Sequence, residues 1–100
     1  MRHRKKKATL DRLSAPRASL LRSLVTSVIE HGKITTSHAK AKAAQPLLER
    51  CITRALNPTI HNRRSIASFV FGEAATKRMI SEVAPKMQRR QGGYTRIVKL

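Results

Sequence analysis

The chain of 100 residues carries 22 Lys plus Arg against 5 Asp plus Glu, a formal net charge of +17 with a sequence pI near 11.8. Self-repulsion on that scale calls for a polyanionic partner, and a phosphate backbone with releasable counterions is the commonest one. With no Trp, one Tyr, two Phe and one Cys, the composition excludes an internal disulfide framework and leaves the core of a single domain to Leu, Ile, Val, Ala and Met. No apolar run approaches a membrane span, and the basic start lacks the apolar stretch of a secretory signal. The expectation is therefore a cytoplasmic protein with no membrane partner.

The first seven residues hold Arg2, His3, Arg4, Lys5, Lys6 and Lys7, five fixed positive charges and no acid. Such a segment buries no core by itself, so residues 1–12, with Arg12, read as an extended arm that orders along a nucleic acid, and 13–100 as one compact domain. The charge is clustered. Residues 33–64 hold +6 and residues 86–100 hold +5, while residues 8–32 hold only +1 and residues 65–85 balance at zero. A small core carrying several contact surfaces follows from that map.

Ser14 before Ala15-Pro16 predicts a helix start, and Leu21, Val25, Val28 and Ile29 recur at helical spacing until Gly32, a left-handed C-cap. Ile34-Thr35-Thr36 is a short β-type run, and Ser37 then caps an alanine-rich helix through Leu47, Leu48, Cys51, Ile52 and Ala55, which Pro46 should kink or divide. Asn57-Pro58 stops it. Ile66, Phe69 and Val70 mark a third helix closed by Gly72, and Ala75, Met79, Ile80 and Val83 a fourth that ends at Ala84-Pro85. Tyr94 to Leu100 follows as a β-branched strand pattern. The expected fold class is α+β, a two-layer arrangement of about four helices on a small sheet in the order arm, α, β, α, α, α, β. Ile34–Thr36 should pair with Tyr94–Leu100, with Leu20, Leu24 and Val28 of the first helix covering the pair.

Catalytic readings do poorly. Asp11, Glu30, Glu49, Glu73 and Glu82 are scattered singly and read as solvated helix positions. His3, His31, His38 and His61 make no zinc spacing with Cys51, which falls on an apolar stripe as a small core thiol. Neither a P-loop nor a dinucleotide fingerprint is present. No enzyme, metal, cofactor or small-molecule substrate is expected.

Basic constellations carry more. Arg63 and Arg64 adjoin the third helix start, and Arg89-Arg90-Gln91-Gly92-Gly93-Tyr94-Thr95-Arg96 combines arginines that fork onto phosphates with glycines that let the backbone approach closely. Tyr94 has two readings: an aromatic that stacks on a base or ribose, or a strand residue packed on the helices.

At these residues the chain resembles a known family. Met1-Arg-His-Arg4, Ile29-Glu-His-Gly-Lys-Ile-Thr-Thr36 with Ala39-Lys-Ala-Lys42, the pair Arg63-Arg64, and Ala84-Pro85 leading to Gly92-Gly-Tyr-Thr-Arg-Ile97 look like the bacterial large-subunit ribosomal protein seventeen family. The resemblance runs from Met1 to Leu100. It implies a two-layer α/β protein bound to large-subunit ribosomal RNA near the exit of the polypeptide tunnel, beside other ribosomal proteins, with no enzymatic role.

The RNA-binding residues implied by charge and resemblance together are Arg2, His3, Arg4, Lys5, Lys6, Lys7, Arg12, Lys40, Lys42, Arg63, Arg64, Arg89, Arg90, Gly92, Gly93, Tyr94 and Arg96. Leu13 and Pro16 stand where the family more often has polar residues, and family members usually continue past Leu100 with a turn and a further strand. The alternative class is a small helical DNA-binding protein of nucleoid type. It shares the charge, but the sequence shows neither a dimer surface nor a base-reading helix face.

Overall fold

The computed structural model describes residues 14–100. Helix α1, Ser14–His31, ends where Gly32 takes φ +82° and donates its N–H to the Val28 carbonyl at 2.7 Å, a left-handed cap that suits glycine. Helix α2, His38–Leu56, starts at Ser37, whose backbone is extended and whose hydroxyl accepts from the Lys40 N–H at 3.3 Å. Ala44, Leu48, Cys51, Ile52 and Ala55 recur at three- and four-residue steps and are buried together. Helix α3, Ile60–Phe69, uses Thr59 in the same way, its hydroxyl accepting from the Asn62 N–H at 3.2 Å.

Helix α4, Glu73–Arg78, runs without a break in helical backbone through a π-helical turn, Met79–Val83, into the short α5, Ala84–Lys86. Pro85 explains the wide turn. A proline ring clashes with the carbonyl four residues back, and a turn opened to the i−5 pattern, as in the Ala84 N–H donating to the Met79 carbonyl, makes room for it. The helix therefore passes the Ala84-Pro85 pair that the sequence marks as its end.

Helices α1 and α2 pack on each other, α3 packs on α2 and α4, and the α4 to α5 run closes against α1 and α2. Val25, Ile29, Ile52, Ile66 and Met79 are the largest fully buried side chains, so every long helix contributes to one core. Two residues of α1 bind the turn after α3. Arg22 donates from Nε to the Phe69 carbonyl at 2.6 Å and from its terminal nitrogen to the Ser68 carbonyl at 3.2 Å, and its guanidinium lies 4.3 Å from the Phe71 ring centroid. A cation on the last carbonyls of a helix satisfies orphan acceptors and complements its dipole. Buried Thr26 donates to the Arg22 carbonyl at 2.8 Å and accepts from the Phe71 N–H at 3.0 Å, leaving its hydroxyl paired.

Three expectations are corrected. Among the described residues there is no strand, so the α+β sheet is replaced by a helical fold with an extended tail. Ile34–Thr36 instead serves as the lead into the Ser37 cap, and the start of the Tyr94–Leu100 run is held by α2. Gln45 takes the Thr95 carbonyl, a backbone group that a ladder would need, and Glu49 holds the Gly93 N–H just before the run. Nor does Pro46 divide α2, which is a single helix across it. Pro46 is exposed, and burial of Ala44 and Leu48 on the core side offsets a proline cost of about 3 kcal/mol.

Candidate nucleic-acid interface

The basic turn is built on α2. Gln45, Glu49 and Thr53 recur every four residues on one side of that helix, beside its apolar face, and together they grip Gly93 to Thr95. The Glu49 carboxylate accepts from the Gly93 N–H at 3.1 Å with one oxygen and from the Thr95 hydroxyl at 2.8 Å with the other. The Gln45 amide donates to the Thr95 carbonyl at 3.2 Å and to its hydroxyl at 3.0 Å. The tail thus runs antiparallel to α2, Gly93 by Glu49 and Thr95 reaching Gln45. Glu49, read from the sequence as a solvated position, is a tertiary anchor.

Tyr94 lies between these contacts and is only 9% exposed, its ring in the core and its hydroxyl 3.4 Å from the Thr53 hydroxyl. The structure therefore places it as a packed residue. Gly92 and Gly93 take φ +95° and +63°, and a Cβ at either position would meet nothing within 4 Å, so backbone conformation and not crowding is what requires glycine at this turn. Around it Arg89, Arg90 and Arg96 are exposed, and Arg90 donates to the Gly93 carbonyl at 3.2 Å across the turn.

A second basic area lies on α3. Arg63 and Arg64 are exposed and, with Ala67 of the same helix, line a shallow open groove whose other side is Gly72, Glu73, Thr76 and Lys77. On α2, Lys40, Arg50 and Arg54 fall on one helical face by their spacing, the face opposite the tail, and Lys42 is exposed nearer the tail. Sequence reasoning misses Arg50 and Arg54, although a helical projection of α2 finds them. Arg2, His3, Arg4, Lys5, Lys6, Lys7 and Arg12 lie outside the described residues.

Little of the charge on the described residues is paired with acids. Among the described residues the one ion pair is Arg78–Glu82, at 3.2 Å and well exposed. Cys51 is buried, as its position on the apolar stripe predicts, and burial pushes its thiol above the ordinary value, with Arg54 and Arg50 partly opposing. No cluster of three His, Cys, Asp or Glu is placed to hold a metal among the described residues, and none of their helices is long and apolar enough to cross a membrane.

Comparison with known sequences places this basic helical fold among the ribosomal proteins. The family described as ribosomal protein L17 matches residues 20–100, and the chain belongs to that family, whose members are structural constituents of the ribosome and not enzymes. It is 46% identical to large ribosomal subunit protein bL17 of Gemmatimonas aurantiaca over 99% of this chain and 84% of that protein. The protein of the same name from Carboxydothermus hydrogenoformans is 43% identical over 91% of this chain and 81% of its own length. That of Akkermansia muciniphila is 44% identical over the whole chain and 74% of its own.

Proposed function

We propose that the chain binds large-subunit ribosomal RNA by phosphate neutralisation, through the arm of residues 1–12 and the turn Arg89 to Arg96. Residues 13–100 act as the compact domain that spaces these two contacts. Arg63, Arg64, Lys40 and Lys42, with Arg50 and Arg54, extend the contact over α3 and α2. The observation that carries this reading is a net charge of +17, with a single ion pair among the described residues, in a chain of the L17 family. Neighbouring large-subunit proteins complete its surroundings, and the cytoplasm is its compartment.

The test is binding to a bacterial large-subunit ribosomal RNA transcript across a salt series. Log affinity should fall linearly with log salt, and Arg89→Ala or Arg63→Ala should each lower the slope by about one unit, while Glu73→Ala should not. A salt-independent affinity would refute phosphate neutralisation.

A further inference from the structure

We propose that Glu49 is the positioning residue of the basic turn, an acid that strengthens RNA binding by holding the arginines in place; this rests on the RNA-binding reading above. Its two oxygens are divided between two points of the tail, the Gly93 N–H and the Thr95 hydroxyl, at 3.1 and 2.8 Å. Between those points the Tyr94 side chain enters the core. With Gly93 and Thr95 fixed, the flanking residues Arg90 and Arg96 leave the turn from set positions, and Arg90 is tied back to the Gly93 carbonyl at 3.2 Å.

Charge and geometry oppose each other here. A carboxylate beside a phosphate backbone repels it, so removing the charge should tighten binding if Coulomb attraction alone decides. Geometry predicts the reverse. The carboxylate accepts at two oxygens, whereas an amide in its place offers one acceptor oxygen and turns an NH2 group toward the other donor. Glu49→Gln therefore raises the net charge by one and loosens the turn.

The experiment compares the full-length wild-type chain with Glu49→Gln and Thr95→Val on a bacterial large-subunit ribosomal RNA transcript across a salt series. Circular dichroism and thermal unfolding report the fold. Glu49→Gln should bind about threefold to tenfold more weakly despite its extra positive charge, with a salt slope lower by about one as a phosphate contact is lost. Thr95→Val removes the hydroxyl that donates to Glu49 and accepts from Gln45 without changing charge, and should move affinity and slope in the same direction. In an Arg90→Ala, Arg96→Ala background the effect of Glu49→Gln should shrink, because its route runs through those arginines. Equal or tighter binding by a folded Glu49→Gln overturns the proposal alone. If that variant does not fold, unchanged affinity and slope in Thr95→Val overturn it equally. Wild-type binding without salt dependence overturns the RNA reading itself.

Discussion

Helix α2 holds two regions in two different ways. Its apolar side, Ala44, Leu48, Cys51, Ile52 and Ala55, joins Val25, Ile29, Ile66 and Met79 in a core that resists water. Its neighbouring polar side, Gln45, Glu49 and Thr53, holds the tail through directed hydrogen bonds, with Tyr94 as the tail's single buried anchor. The core fixes whether the chain is folded. The polar grip fixes where the basic turn stands, and because hydrogen bonds net only about 1 kcal/mol each, it can be lost while the body survives. Beyond Thr95 the tail has little hold, with Val98 66% exposed and Leu100 fully so.

The largest expected effect breaks the body. Ile66 is fully buried where α3 meets the other helices, and Ile66→Ala should cost about 2 to 5 kcal/mol of stability through lost burial and an unfilled cavity. Denaturant unfolding checks it. Any loss of RNA affinity should then vanish under conditions where the variant is fully folded, since no contact residue has changed.

Sharpening the comparison from the other side, Gly92→Ala places a Cβ at φ +95°, where an L residue costs roughly 1 to 2 kcal/mol. That strain falls on a turn outside the core, so the expected unfolding midpoint moves less than for Ile66→Ala. RNA affinity should fall by more than the stability change explains. A variant that lost stability and affinity in proportion would show that turn and body form one unit.

Local chemistry makes the helices legible. Ser37 as a cap, Gly32 as a left-handed stop, Asn57-Pro58 as a break and Cys51 as a core thiol are each decided within a turn or two of chain, and the structure has all four. The expected sheet fails because pairing is not local. The β-branched run from Tyr94 has strand chemistry, but its start is held by side chains of α2 instead of a strand, Gln45 taking the Thr95 carbonyl and Glu49 the Gly93 N–H just before it. The roles of Glu49 and Arg22 are hidden for one shared reason: each is a charged residue on an exposed helical pattern whose partner lies more than 40 positions away. The basic segments are visible as charge, while their placement on the fold depends on contacts that no spacing rule contains.

The smallest effect at neutral pH concerns Cys51, on the edge of the apolar side of α2 that faces Arg50 and Arg54. Cys51 is 2% exposed, and burial raises its thiol above the ordinary 9.0, although Arg54 and Arg50 pull it down. Well below pH 9.0 both folded and unfolded chains keep the proton, and the thiol contributes no pH dependence. As pH rises further the unfolded thiol ionises first. The unfolded state then binds fewer protons than the native state, so stability falls, by up to about 1.4 kcal/mol per pH unit, until the folded thiol ionises too. The measurement is the difference in unfolding free energy between wild type and Cys51→Ala, which isolates the thiol's share of the pH dependence. That difference should be flat from about pH 6 to about 8 and should decline above the ordinary thiol value. A difference that stays flat into the alkaline range would mean that the two arginines offset the burial of Cys51, and that cations on α2 stabilise charge within the body as well as on its surface.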